Sequence, residues 1–276
     1  MKILDGKALA LKIRAELKDK IAALHKKIGL AVVLVGSDPA SQIYVRNKIK
    51  ACEEVGIQSY SYVLPETATQ KQVEDLLDEL AASKHIDGIL LQLPLPKGLN
   101  GESAMAHIPV EKDVDGFSAE NLGLLALNKD GMVSCTPFGV MKILENDEIE
   151  LTGKNAVVIG RSDTVGKPMA MLLLNANATV TVCHSKTKNL KEICKQADLI
   201  VCAIGKAKFV TADMVKDGAV VVDVGINRDE NGKICGDVDF ENVKEKTSYI
   251  TPVPGGVGPM TITMLMYNTY LTACKK

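Results

Sequence analysis

Three side chains that could act on a ligand follow one another at helical spacing near the start of the chain. Ser41, Tyr44 and Lys48 lie three and four residues apart, so they share one face of a predicted helix. A lysine can transfer protons, and a tyrosine ring can stack on a flat ligand. Taken alone, these three residues are more typical of a solvent-exposed helix face without a function, with Tyr44 half buried, because lysine is usually exposed.

The position of this helix in the chain favours a role in ligand binding over a solvent-exposed face without a function. It follows the predicted strand Leu30–Gly36, so its first turn lies at the carboxyl edge of a sheet, where open α/β sheets bind ligands. Gln92 and Leu93 end a later strand at the same edge, and Asp115 lies in the polar loop that leaves this domain. A lysine, an amide and a carboxylate are therefore predicted to meet at one sheet edge.

The first half of the chain alternates short apolar runs with amphipathic segments. This alternation predicts a parallel sheet with helices on its faces. The predicted strands are Leu30–Gly36, Ile57–Leu64 and Asp87–Leu93. The predicted helices are Asp5–Lys27, one from Ser37, Asp38 or Pro39 to Val55, one from Thr67 or Thr69 to Ser83, Glu102–His107 and Ser118–Leu127.

The segment Asn155–Ser185 predicts a strand, a turn, a helix over Thr164–Asn175 and a second strand. Only Gly160 and Gly166 stand where a dinucleotide fingerprint has three glycines, so an ordinary tight turn remains an alternative. The candidate cofactor residues in this turn are Gly160, Arg161, Ser162, Thr164, Val165 and Gly166.

The end of the second strand bears on the cofactor. An NAD site places an acidic residue there, about 20 residues after the glycines. This chain has His184, Ser185 and Lys186 instead, with Lys188 close by. Ser185 and the lysines, together with Arg161, are donors suited to a 2′-phosphate, so the pattern favours NADP over NAD.

The remainder of the chain continues the α/β pattern. Asn128–Cys135 predicts a turn or small hairpin, and the dense Pro/Gly stretch Thr251–Pro259 predicts a loop. Further predicted elements are a helix over Pro137–Glu145, strands over Asp198–Ile204 and Ala219–Val224, a hairpin at Asp229–Gly232 and a last helix over Thr261–Ala273.

Composition limits the function classes. The 276 residues suffice for two domains, and a net charge of −1 suggests neither nucleic acid nor an anionic membrane as a partner. No apolar run approaches a membrane span. The seven cysteines are odd in number and scattered, which predicts reduced thiols in a cytoplasmic protein, and no metal site is expected.

Five motifs in this order closely resemble the bifunctional methylenetetrahydrofolate dehydrogenase/cyclohydrolase family, over essentially the whole chain. They are Tyr44-x-x-x-Lys48, Gln92-Leu93-Pro94-Leu95-Pro96, Lys112-Asp113-Val114-Asp115-Gly116, Gly160-Arg161-Ser162-x-x-Val165-Gly166-x-Pro168 and Pro254-Gly255-Gly256-Val257-Gly258-Pro259-Met260-Thr261.

The resemblance implies a homodimeric enzyme with a folate/catalytic domain and a Rossmann-type NADP-binding domain, separated by a cleft. The expected limits are 1–120 completed by 260–276 for the first domain, and 121–259 for the second. The reaction implied is NADP-dependent oxidation of 5,10-methylenetetrahydrofolate, followed by hydrolysis to 10-formyltetrahydrofolate. Two alternatives are another NADP-dependent dehydrogenase of shikimate or amino-acid type, and a non-catalytic NADP-binding module.

The resemblance also implies roles for single residues. Lys48 would transfer protons and activate water, and Gln92 would hold and tune either the Lys48 ammonium or the water. Asp115 would pair with the pterin, and Tyr44 would stack on the aromatic ring of the folate. The expected folate site is Ser41, Tyr44, Gln92, Leu93, Asp115, Pro254, Gly255 and Gly256. The expected NADP site is the turn described above with Ser185, Gly225 and Ile226.

Overall fold

The computed structural model describes residues 1–275 and has an α/β fold; Lys276, the end of the predicted segment 260–276, lies outside the described residues. The strands are β1 (Lys2–Ile3), β2 (Ile28–Val35), β3 (Ile57–Leu64), β4 (Gly88–Leu91), β5 (Asn155–Ile159), β6 (Thr179–Cys183), β7 (Leu199–Cys202), β8 (Val220–Asp223), β9 (Asn227–Arg228), β10 (Ile234–Cys235) and β11 (Tyr249–Ile250). The helices are α1 (Gly6–Ala23), α2 (Pro39–Val55), α3 (Gln70–Ala82), α4 (Gly101–Met105), α5 (Ala119–Ala126), α6 (Cys135–Asn146), α7 (Gly166–Asn175), α8 (Leu190–Cys194), α9 (Phe240–Val243) and α10 (Val257–Cys274).

The chain forms two compact units. The three-stranded unit comprises Lys12–Leu124, Asp130–Cys135 and the described residues from Ile262 onward. The six-stranded unit comprises Met1–Leu11, Leu125–Lys129 and Thr136–Thr261. The predicted two-domain α/β class is confirmed, and most of α10 belongs to the unit that carries Lys48 and Asp115.

The three-stranded unit is built on a parallel sheet in the order β3-β2-β4. All eight residues of β2 are buried, as expected for a central strand covered on both faces. Helix α2 begins where predicted: the Asp38 carboxylate accepts from the Ser41 amide at 2.8 Å, and Pro39 occupies the first turn. It ends at Gly56, which takes the left-handed conformation with a φ of 86°. These signals set the position of Lys48 relative to the strand end.

The six-stranded unit has a parallel sheet in the order β1-β11-β8-β7-β5-β6. Strand β5 lies between β6 and β7, so the Gly160 turn, the end of β6 and the loop after β7 are neighbours at its carboxyl edge. The predicted hairpin at Asp229–Gly232 is present as the antiparallel pair β9 and β10. Strands β1 and β11 were not predicted, because two-residue strands show no readable periodicity.

Several predicted bounds differ from the structure by two to four residues, such as the end of α1 at Ala23 in place of Lys27, and one predicted hairpin is absent. Helix α10 begins at Val257, four residues before the predicted Thr261, because a proline such as Pro259 fits a first turn where no amide bond is needed. Helix α7 begins at Gly166, two residues after the predicted start. The segment Asn128–Cys135 contains no strand, so a hairpin there was wrong; the Asn121 side chain accepts from the Met132 amide at 2.8 Å and holds an irregular turn.

Candidate active site

Lys48 and Gln92 form a direct hydrogen bond within the three-stranded unit. The partly buried Lys48 ammonium on α2 donates to Oε1 of Gln92 at 3.0 Å. Gln92 follows β4, and its backbone amide donates to the Val33 carbonyl at 2.9 Å, which continues the strand pairing. The other end of its side chain donates from Nε2 to the Leu93 carbonyl at 2.7 Å. This second bond orients the amide so that its oxygen faces the lysine.

Asp115 belongs to the same cluster. Burial raises the pKa of its carboxyl group to about 6, the positive charge of Lys48 opposes that rise, and the charge of Asp113 adds to it. The Cys135 thiol also hydrogen-bonds to this carboxyl. Lys48 therefore acts on the charge of Asp115 in addition to donating to Gln92.

The other charged residues of the Lys112–Gly116 loop have structural roles. The Lys112 ammonium donates to the carbonyls of Ala81 at 2.6 Å and Ser83 at 2.8 Å, where it caps the end of α3. The Asp113 carboxylate accepts from three successive backbone amides and one side chain; the donors are Gly116, Phe117, Ser118 and Asn121 Nδ2. These contacts fix the loop and leave Asp115 as its charged residue without a structural bond to backbone amides in the hydrogen bonds described.

Asn268 and Cys135 support Asp115, and the sequence analysis assigned neither of them to the site. The buried Asn268 side chain on α10 donates from Nδ2 to the carbonyls of Val114 and Val133, both at 2.9 Å. The Cys135 thiol lies 3.3 Å from the Val114 carbonyl. The available signal was an asparagine within an otherwise apolar helix, since a buried amide needs partners.

The other expected folate-site residues of this unit differ in exposure. Tyr44 is 41% exposed on α2, so its ring is accessible to a flat ligand. Ser41 is only 4% exposed, and Leu93 is partly buried against the apolar core of the unit.

In the six-stranded unit, the turn between β5 and α7 requires both of its glycines. Gly160 has a φ of 125°, and a Cβ there would lie 2.3 Å from the Ala203 carbonyl oxygen. A Cβ on Gly166 would lie 2.4 Å from the Gly160 carbonyl oxygen. The Ser162 hydroxyl accepts from the amides of Val165 at 3.2 Å and Gly166 at 3.3 Å, at the start of the helix. The result is a tight strand-to-helix turn of the kind that approaches a pyrophosphate.

The residues around this turn suit a phosphorylated ribose. Arg161 and Ser185 are both exposed, and Thr164 is partly buried. The chain after β6 turns at once, since the His184 amide donates to the Thr187 hydroxyl at 2.8 Å and the Thr187 amide returns to the His184 carbonyl. This donor set, without a carboxylate between 184 and 188, fits a 2′-phosphate better than a free 2′-hydroxyl.

Comparison with known proteins gives the family of the chain. Residues 4–115 match the catalytic domain of the tetrahydrofolate dehydrogenase/cyclohydrolase family, and residues 134–276 match its NAD(P)-binding domain. The chain belongs to the tetrahydrofolate dehydrogenase/cyclohydrolase family. It is therefore a dehydrogenase and a cyclohydrolase, as the five motifs predict, and the two alternative classes are not favoured.

Individual members of the tetrahydrofolate dehydrogenase/cyclohydrolase family are similar to this chain over nearly their whole length. The bifunctional protein FolD of Campylobacter curvus is 59% identical over 276 residues, which are 99% of this chain and 96% of that protein. The crystal structure of FolD from Campylobacter jejuni has a TM-score of 0.98 and 54% identity, covering 100% of this chain and 99% of that one. The Trypanosoma brucei FolD structure, complexed with NADP and an inhibitor, has a TM-score of 0.95 and 37% identity, covering 99% and 97%.

The other expected ligand residues of this family member lie on loops of the six-stranded unit. Gly225 follows β8, and Ile226 beside it is 51% exposed. The loop of Pro254, Gly255 and Gly256 is joined to the N-terminal segment, because the Lys7 amide donates to the Gly255 carbonyl at 2.9 Å. Gly255 has a φ of 107°, which favours glycine.

The described part of this tetrahydrofolate dehydrogenase/cyclohydrolase has neither a metal-binding cluster nor a membrane-spanning helix. No group of three or more His, Cys, Asp or Glu side chains within 1–275 could hold a metal ion. None of the helices described is both long enough and apolar enough to cross a membrane.

Proposed function

We propose that this chain oxidises 5,10-methylenetetrahydrofolate to 5,10-methenyltetrahydrofolate with NADP, and then hydrolyses the product to 10-formyltetrahydrofolate. The observation that carries the proposal is the hydrogen bond between Lys48 and Gln92 beside the carboxyl of Asp115. A proton-transfer group, a neutral acceptor that holds it and an acid that can bind a planar donor array are the parts that both steps need.

Lys48 is the proposed proton-transfer group of the hydrolysis. Water adds to the electrophilic methenyl carbon and gives up a proton to the neutral Lys48 amine. The bond from this carbon to N5 then breaks, N5 takes up a proton from the lysine, and the hydroxyl becomes the formyl oxygen of the 10-formyl product. One proton is released to solvent for each cation and water consumed. Gln92 holds the lysine in place through its Oε1 atom.

The remaining folate contacts orient the substrate. Asp115 pairs with the amino and ring nitrogens of the pterin, for which two carboxylate oxygens are a suitable acceptor pair. The exposed ring of Tyr44 stacks on the flat part of the folate. We assign further contacts to Ser41, Leu93, Pro254, Gly255 and Gly256.

The Gly160–Gly166 turn is the proposed NADP site. When bound, NADP accepts the hydride from the one-carbon bridge of the folate. The chain itself contributes binding and alignment: the turn of Gly160, Ser162, Thr164, Val165 and Gly166 approaches the pyrophosphate with backbone groups. Arg161 and Ser185 bind the 2′-phosphate, and Gly225 and Ile226 line the site.

We also propose the domain limits, the oligomeric state, the cellular location and the partner of the protein. The functional domains are 1–120 with 260–276 for folate and 121–259 for NADP. The protein is a homodimer in the cytoplasm, and its partner is a small-molecule folate, with no nucleic acid or membrane involved.

One assay tests the proposed function. The purified chain is given methylenetetrahydrofolate with NADP or NAD, and NADPH and methenyl absorbance are followed together. We expect NADPH to form, followed by loss of the methenyl signal above its spontaneous rate. NADP binding without turnover would support a non-catalytic module, and turnover of shikimate or an amino acid instead of the folate would support the other dehydrogenase class.

A further inference from the structure

A buried pair of aspartates connects the ends of the strands beside the nucleotide turn. Asp237 has no solvent exposure and Asp223 is 3% exposed. The Asp223 carboxylate accepts from the backbone amides of Asp237 at 2.9 Å, Val238 at 2.8 Å and Gly225 at 3.0 Å. Asp223 therefore holds the backbone of Asp237 in place after β10.

The Asp237 carboxylate in turn binds the loop that follows β7. It accepts from the amides of Ile204 at 2.7 Å, Gly205 at 3.1 Å and Lys206 at 2.7 Å. It also accepts from Nδ2 of Asn227 at 2.9 Å, in the segment directly after Ile226. One buried side chain thereby fixes two loops of the six-stranded unit.

These loops adjoin the proposed NADP site. The Ala203 carbonyl oxygen lies 2.3 Å from where a Cβ on Gly160 would stand, so the loop after β7 packs closely against the glycine turn. A Cβ on Gly225 would lie 2.2 Å from Oδ1 of Asp237, so this carboxylate also fills the space under Gly225. A shift of Asp237 would move both neighbours.

We propose that Asp237 is a positioning residue for NADP: its carboxylate fixes Ile204–Lys206 and Asn227, and so shapes the walls of the nucleotide site without touching the nucleotide. This inference rests on the proposed use of NADP. It goes beyond that use because it assigns cofactor affinity to a fully buried carboxylate remote from the glycine motif in sequence.

Asp237→Asn tests the role, because an amide has one oxygen and would direct its NH₂ group towards backbone N–H donors. We expect the KM for NADP to rise roughly tenfold to a hundredfold, the scale of lost hydrogen bonds to a charged group. The cyclohydrolase kcat on added methenyltetrahydrofolate should stay at the wild-type value, because that step does not use NADP. Hydrogen exchange of the amides of residues 204–206 should become faster.

Asp198→Asn is the matched control. Asp198 precedes β7 at the opposite end of the same strand, and its carboxylate accepts from the Asn155 amide at 3.0 Å and from Lys216 at 2.6 Å. Its loss should lower stability and leave the KM for NADP unchanged. Equal KM changes in the two variants would reduce Asp237 to a general stabilising role.

A second variant covers the case in which Asp237→Asn does not fold. Asn227→Ala removes only one donor to the same carboxylate and should raise the KM for NADP severalfold at unchanged cyclohydrolase kcat. A folded Asp237→Asn with wild-type NADP affinity, or an Asn227→Ala without effect where Asp237→Asn is unfolded, would overturn the inference. Failure of the wild-type protein to bind NADP by calorimetry would instead overturn the proposed function.

Discussion

Lys48 donates to Gln92 at 3.0 Å across 44 residues of sequence, and the acceptor is a neutral amide and not a carboxylate. A neutral acceptor holds an ammonium group in place without adding a full negative charge that would stabilise its protonated form. Gln92 therefore positions the lysine without itself stabilising the charged form, and the acid that acts on Lys48 electrostatically is Asp115.

Replacing Lys48 by methionine tests this directly. Lys48→Met keeps the apolar stem but removes the proton-transfer group, so hydrolysis of methenyltetrahydrofolate should slow roughly a hundredfold to ten-thousandfold. The control is Lys50→Met, an exposed lysine on another face of α2. Turnover is measured on added substrate and corrected for spontaneous hydrolysis. A wild-type rate for Lys48→Met would exclude the mechanism.

Gln92→Glu should also impair hydrolysis, for an electrostatic reason. A carboxylate at this position would form an ion pair with the Lys48 ammonium, which opposes the transfer of its proton. We expect the kcat for methenyltetrahydrofolate hydrolysis to fall roughly tenfold or more, while NADP affinity stays at the wild-type value. Cyclohydrolase turnover and calorimetry with NADP measure the two quantities, and a wild-type kcat would show that the neutral acceptor is not essential.

Replacement by asparagine should lower stability at Asp113 and folate affinity at Asp115. Asp113→Asn disrupts bonds to several backbone amides and should cost about 1.5–3 kcal/mol of unfolding free energy, the scale for bonds to charged groups. Asp115→Asn should keep the fold and NADP affinity but weaken folate binding. Denaturant unfolding and calorimetry with a folate analogue measure the two effects. Unchanged folate affinity in Asp115→Asn would show that Asp115 is a structural residue of the loop and does not bind folate.

The pKa of Asp115 also predicts a pH dependence of stability. Its folded-state pKa of about 6 lies above the ordinary value of 3.8, because burial penalises the charged form. The stability that this raised pKa contributes is present below the ordinary value and is lost as the pH rises through about 6. Asp115→Asn should therefore gain stability relative to wild type between pH 4 and about pH 7. Denaturant unfolding of both proteins across this range, without folate, measures the difference; a constant difference would contradict the assignment.

Arg161→Ala tests the choice of cofactor. Loss of a charged partner of the 2′-phosphate should raise the KM for NADP roughly tenfold to a hundredfold and barely change NAD kinetics. Arg228→Ala is the control, since this arginine lies on the β9–β10 hairpin and donates to the Gly232 carbonyl. Initial rates with each cofactor decide the matter, and equal losses for NADP and NAD would exclude a 2′-phosphate contact.

The sequence by itself determined the features that depend on neighbours along the chain. Apolar runs separated by amphipathic segments specify the parallel α/β class, and Asp38, Pro39 and Gly56 set the limits of α2. The Gly160–Gly166 spacing specifies a turn that only glycine can make, because a Cβ at either position would meet a carbonyl oxygen. The order of the five motifs was sufficient to indicate the family.

Only the tertiary structure decided which polar residues act together. In the loop Lys112–Gly116, the sequence alone does not tell which of the two acids and the lysine act on a ligand. Packing binds Asp113 to backbone amides and exposes Asp115 to the charge of Lys48. Asn268 reaches the Val114 carbonyl across 154 residues, and Asp237 binds amides more than 30 residues away. Local periodicity carries no record of such pairings, because they depend on which buried polar groups packing leaves within hydrogen-bond distance of each other.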